Sequence, residues 1–165
     1  MLKKEQIRIL SLSGILTAMV FLLTAYLHIP ANNGYVHVGD GLIYLAACLL
    51  PRPYAMGVGA CGALLADCLT GFLAWAPGSA VIKALSAMLF SNKGRKALTL
   101  RNILALLPAA VVNVGGYYLY EALLYGDFIV PLAAIPSSLV QSAASTAVFL
   151  GLALAVDKVK NRIKQ

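Results

Sequence analysis

The chain has 165 residues, of which 61% are hydrophobic and 12% charged, and a formal net charge of +7; soluble domains lie nearer roughly 45–50% apolar and 25% charged. That composition excludes a water-soluble domain and describes one integral membrane domain over residues 1–165. The positive charge does not point to nucleic acid, because the cations flank hydrophobic runs without interleaved aromatic residues; anionic headgroups of membrane lipids are the expected contact.

Twelve of the 13 Lys and Arg residues lie on alternate connections between the hydrophobic runs. Lys3, Lys4 and Arg8 precede the first run, and Arg52 separates the second from the third. Lys93, Arg95, Lys96 and Arg101 separate the fourth from the fifth, and Lys158, Lys160, Arg162 and Lys164 follow the sixth. Short basic loops stay on the cytoplasmic side, so the pattern predicts an all-α integral membrane protein of six transmembrane helices, with N-terminus and C-terminus cytoplasmic.

In chain order, the first span is expected from Ile9 to Ile29, close to the ~20 residues that cross hydrocarbon. It is too long for a signal-peptide core, and no small-x-small cleavage site follows it. Pro30 to Asp40 forms a polar outer connection. Gly41 to Leu50 is only about ten residues, so the second span is short, tilted or begun within that connection. Tyr54 to Thr70 is the third span, Gly71 to Gly78 an outer turn with Trp75 suited to the interface, and Ser79 to Phe90 a second short span. Asn102 to Leu124 and Ala134 to Val156 complete the set, with neighbours or local thinning absorbing the mismatch of the short members. Cys48, Cys61 and Cys68 fall in or beside apolar runs without metal-ligand spacing and read as packing thiols.

Charges at bilayer depth cost several kcal/mol on insertion scales and face a partner or a cavity. Asp67, about one turn from the outer end of span three, and Lys83, a little over one turn into span four, have comparable expected depths. They form a structural ion pair across the hairpin, or one of them also faces a polar ligand from outside. Asn113, Tyr117 and Glu121 recur at four-residue spacing on one face of span five, and Ser138, Gln141, Ser142 and Ser145 form a second polar stripe on span six. Such stripes are explained either by interhelical hydrogen bonding or by a pocket. Their bias to the outer half favours a pocket beneath Asn32, Asn33, Tyr35, His37 and Asp40. His37 and Asp40 alone are a weak metal signal, and no metal is assigned. No nucleophile elbow, zincin motif or phosphate-binding glycine loop is present, so no catalytic residue and no cofactor are expected.

Small residues make a third pattern: Gly14 and Ala18 in span one, and Ala55, Gly59 and Ala63 in span three, recur every four residues. They permit close helix approach, either within the molecule or to another membrane subunit.

Together these features resemble the substrate-binding S component of an energy-coupling factor (ECF) vitamin transporter. The resemblance covers essentially the whole chain and is carried by Gly34-Tyr-Val-His-Val-Gly-Asp-Gly41, Gly59-Ala-Cys-Gly-Ala-Leu-Leu-Ala-Asp67 and Trp75-Ala-Pro-Gly-Ser-Ala-Val-Ile-Lys83. The last two segments are similar to the riboflavin-type branch, which includes hydroxymethylpyrimidine and pyridoxine transporters. The resemblance implies a membrane receptor without its own motor, working with a transmembrane coupling subunit and two cytoplasmic ATPases. It further implies ligand contacts at Asn33, Tyr35, His37, Lys83, Asn113, Tyr117 and Gln141, and subunit docking at Gly14 and Ala18. Here the docking pair is Gly-x-x-x-Ala, whereas the family often has Ala-x-x-x-Ala. A self-contained secondary transporter using Asp67 and Lys83, or a small membrane enzyme using His37 and Asp40, are the alternative readings.

Overall fold

A computed structural model describes residues 3–31 and 34–162. Helix α1 (Lys4–Ala25) is followed by a short ribbon, β1 (His28–Ala31) and β2 (Gly34–His37), and then by α2 (Gly39–Leu49), α3 (Arg52–Thr70) and α4 (Ala76–Met88). The chain continues through α5 (Leu100–Leu104), α6 (Leu106–Tyr125), a 3-10 segment at Val130–Ala134, and α7 (Ile135–Arg162). With α5 and α6 counted as one interrupted rod, these are the six expected helices. Lys4–Ala25, Leu100–Tyr125 and Val130–Arg162 are each long and apolar enough to cross a membrane.

Local sequence explains the ends and the breaks. Pro53 lies in the first turn of α3 and Pro77 in that of α4, where a missing N–H costs nothing. Gly71 closes α3 at φ 91°, a left-handed cap in which both its own N–H and that of Phe72 return to the Asp67 carbonyl. Pro108 cannot donate to the Leu104 carbonyl, and the helix is interrupted at Ala105, between α5 and α6. The ribbon was not expected from the polar look of Pro30–Asp40; its strands pair antiparallel from His28↔His37 to Ala31↔Gly34.

The short second span has a packing explanation. Every α2 residue from Gly39 to Cys48 is buried, so this helix is the centre of the bundle, and a helix apolar on all sides needs no lipid-facing stripe. Tyr44 of α2 stacks on Phe90 with centroids 4.7 Å apart, and Phe149 of α7 meets both rings edge-on. Around this core α3 packs between α1 and α4, and small residues set the spacing. A Cβ on Gly62 would fall 2.6 Å from Val20 Cγ1 of α1, and one on Gly59 would fall 3.0 Å from the Lys83 carbonyl oxygen of α4. Ala55 and Ala63 are buried on the same face, so the small residues of α3 serve internal packing.

At the inner end, α7 runs six residues past the expected Val156, which brings Asp157 under the α4–α5 connection. Its carboxylate accepts from the backbone N–H groups of Ala97 at 2.7 Å and Leu98 at 3.0 Å. Asn102 accepts from Ser91 N–H at 2.9 Å and donates to the carbonyls of Ser91 and Ala97 at 3.0 and 2.9 Å. The basic connection is thereby fastened to two helices.

Candidate functional site

Two levels of polar structure occupy the outer half of the bundle. The deeper level centres on Lys83, which is 1% exposed. Its Nζ donates to Asp40 Oδ2 at 2.9 Å and to Asn113 Oδ1 at 2.7 Å, and lies 2.8 Å from Asp40 Oδ1. Gln141 Nε2 donates to Asp40 Oδ2 at 3.2 Å. Asn113 Nδ2 donates to the Tyr44 hydroxyl at 3.1 Å and to Ser86 Oγ at 3.0 Å. Four helices, α2, α4, α6 and α7, thus meet through one ion pair whose charges are matched and hydrogen-bonded, the condition under which charge is tolerated at this depth.

The expected Asp67–Lys83 pair is corrected here: the carboxylate on Lys83 is Asp40. Two features account for it. Helix α4 begins at Ala76, not Ser79, so Lys83 lies about two turns inside it. The Lys83 backbone is level with Gly59 of α3, and Asp67 is eight residues farther out along that helix, about 12 Å at 1.5 Å per residue. Asp40, in the first turn of the buried α2, is within reach instead.

Above this network lies a cavity of about 80 Å³, partly open on the outer side. Thr24 of α1, His37 of β2, Asp67 of α3, Tyr117 and Glu121 of α6 and Gln141 of α7 contribute to its wall, with Phe72 and Trp75 from the α3–α4 connection. Tyr117 donates its hydroxyl to Ser79 Oγ at 2.9 Å, and Lys83 Nζ lies 4.8 Å from the centre of its ring. Trp75 Nε1 donates to Glu121 Oε1 at 3.1 Å, which fixes the indole on the wall. The His37 N–H donates to Gln141 Oε1 at 3.3 Å, and its ring Nδ1 accepts from Gly39 N–H at 3.1 Å. Burial pushes the His37 imidazole down to about 4, with the Asp40 charge opposing and the Lys83 charge reinforcing that shift. The ring is therefore neutral at physiological pH.

Of the residues expected at a ligand, His37, Tyr117 and Gln141 line the cavity. Lys83 and Asn113 lie beneath it, in the ion-pair network. Tyr35 contributes backbone to β2, and Asn33 lies outside the described residues. Gly14 and Ala18 are on the exposed face of α1, and a Cβ on Gly14 would meet nothing within 4 Å. Glu121 was legible as the third member of the α6 stripe. From the sequence Trp75 reads as an interface anchor alone, since nothing local announces its bond to Glu121 across 46 residues. Among the described residues no group of three or more His, Cys, Asp or Glu is placed to hold a metal ion. The arrangement offers aromatic faces, hydrogen-bonding amides and hydroxyls, and two carboxylates to a molecule entering from outside.

Comparison with known proteins bears on what that molecule is for. A family model described as "ECF-type riboflavin transporter, S component" matches residues 4–158. A solved structure reported as "Structure and mechanism of the S component of a bacterial ECF transporter" has the same fold, with a TM-score of 0.74 at 19% sequence identity, over 97% of this chain and 99% of that one. No curated protein matches the chain significantly in sequence.

Proposed function

The chain belongs to the family of ECF-type riboflavin transporter S components, and from that premise we propose that it captures a vitamin or vitamin precursor in the outer cavity for ATP-driven import. Family membership makes it a multi-pass membrane transport protein rather than an enzyme. The observation that carries the substrate reading is the cavity itself: it opens outward, is floored by a satisfied ion pair, and is walled by Trp75, Tyr117 and hydrogen-bonding side chains. Such a mixture of aromatic surface and a few placed polar groups suits a small heterocycle such as hydroxymethylpyrimidine or a pyridoxine-like vitamer. His37, Tyr117 and Gln141 would contact it, and Lys83 and Asn113 would hold the floor.

On this reading transport requires a transmembrane coupling subunit and two cytoplasmic ATPases, with the Gly14–Ala18 face of α1 docking on the first. The test has two parts. Purified protein screened by thermal shift and native mass spectrometry against B-vitamins and pyrimidines should be stabilised by at least one heterocycle; folded protein that binds none overturns the receptor reading. Proteoliposomes should then accumulate that ligand only when the coupling subunit, the ATPases and ATP are supplied. Uptake by this chain alone, driven by a proton gradient, would instead identify a self-contained carrier.

A further inference from the structure

We propose that the inner face of the bundle binds the phosphate headgroup of an anionic phospholipid, in a cleft that Arg52 and Lys93 share above Phe90. The cleft is at the opposite end of the molecule from the outer cavity, and the proposal stands whatever ligand that cavity takes.

The cleft lies between the α2–α3 corner and the inner end of α4 and has a volume of about 310 Å³. Its floor is apolar and includes Ala87 and Phe90, both buried; the Phe90 ring is held by its stack on Tyr44 and its edge contact with Phe149. Its rim is polar, formed by Arg52, Ser91, Asn92 and Lys93.

The charge on that rim is unmatched. No acidic residue lines the cleft, and neither the Arg52 nor the Lys93 side chain makes an ion pair or hydrogen bond among the described residues. Asp157, the carboxylate that α7 brings to this end, is taken up by the N–H groups of Ala97 and Leu98. The first turn of α3 has no acidic residue either, and Arg52 occupies the positive end of that helix, where the macrodipole disfavours a cation. Topology requires positive charge on this side of the membrane. It does not explain two unmatched cations around one cleft, whereas a bound anion matches both.

The rim is also held in place. Arg52 is rooted in the first turn of α3, and Ser91 is bonded through its N–H and its carbonyl to Asn102. The Lys93 N–H in turn donates to Ser91 Oγ at 3.3 Å. A bound phosphate therefore orders little backbone, and it gains charge-assisted bonds from a guanidinium and an ammonium. The apolar floor decides between a lipid and a free phosphate. A phosphate ion uses the rim alone, while a phospholipid also covers Phe90 and lays its chains on the last turns of α4, where Leu85 and Met88 are 46% and 36% exposed. Basic clefts between membrane helices on the cytoplasmic side suit such headgroups.

The test uses purified full-length protein, freed of lipid in a non-ionic detergent and titrated with short-chain phosphatidylglycerol or phosphatidylcholine under native mass spectrometry. The first phosphatidylglycerol should bind about tenfold tighter or more than phosphatidylcholine, as expected for two added cation–phosphate contacts. Arg52→Gln combined with Lys93→Gln should abolish that preference. Arg95→Gln combined with Lys96→Gln removes the same charge from the same connection side, outside the cleft, and should retain it. Inorganic phosphate at the lipid's concentration should not displace the lipid. No preference for phosphatidylglycerol, or equal losses in the two double variants, would reduce the site to diffuse surface charge and overturn the proposal. Displacement by inorganic phosphate would assign the cleft to a soluble phosphate compound and overturn the lipid. Arg52 and Lys93 are exposed, so the cleft variant should fold; if it does not, the wild-type headgroup ranking and the phosphate competition decide, with Lys93→Gln alone expected to weaken the preference.

Discussion

Lys83 is the residue on which the outer half of the fold depends, and its partners determine what its loss does. A Lys83→Met substitution keeps the volume and the apolar stem but leaves Asp40 buried at 1% exposure opposite nothing positive. Removing one member of a buried pair costs about 3–5 kcal/mol, whereas replacing both members by neutral groups is often close to neutral. The single variant should therefore be strongly destabilised in a thermal-unfolding measurement, and Asp40→Asn combined with Lys83→Met should recover most of the loss. A double variant no more stable than the single one would mean that Asp40 is not the compensating charge. This residue also shows where sequence reading stops. That Lys83 needed a carboxylate was legible from its place in an apolar run. Which carboxylate was not, because Asp40 is 43 positions away and only the burial of α2 brings it to the right depth.

At the scale of elements, sequence and structure agree where one helix explains itself and part where helices meet. Apolar runs, prolines and Gly71 mark most helix ends without reference to a neighbour. The α6 stripe was equally legible, since four-residue spacing puts Asn113, Tyr117 and Glu121 on one face; the structure assigns the first to the network and the other two to the cavity. The inner connection was opaque. Its basic residues fixed a side of the membrane, but nothing local indicates that Asp157 reaches back 60 positions to hold Ala97. That anchor makes a prediction about α7 and the connection together. Asp157→Ala frees two backbone donors, each bonded to a charged acceptor worth about 1.5–3 kcal/mol. Amide exchange at Ala97 and Leu98 should accelerate while ligand affinity at the opposite end is retained. Unchanged exchange there would show that Asn102 alone fastens the connection.

For the whole molecule, the same helix serves two surfaces. One side of α1 buries Leu16, Val20 and Thr24, and at Val20 it touches Gly62 of α3 so closely that no side chain fits between them. The opposite side leaves Ile15, Met19 and Leu22 exposed at 59%, 43% and 51%, with Gly14 and Ala18 between them. Lipid satisfies an apolar face of any contour, but a smooth strip of small residues is what lets another helix approach closely. Folding and assembly can therefore be separated by two substitutions on the same pair of helices. Gly62→Leu must displace Val20 and should lower the unfolding temperature of the isolated chain. Gly14→Leu meets no atom within the molecule, so it should leave unfolding temperature and ligand titration unchanged while abolishing co-purification with a coupling subunit. Normal co-purification of Gly14→Leu would move the docking face off this strip of α1, whereas loss of ligand binding would show that α1 is coupled to the cavity through Thr24, which lines it.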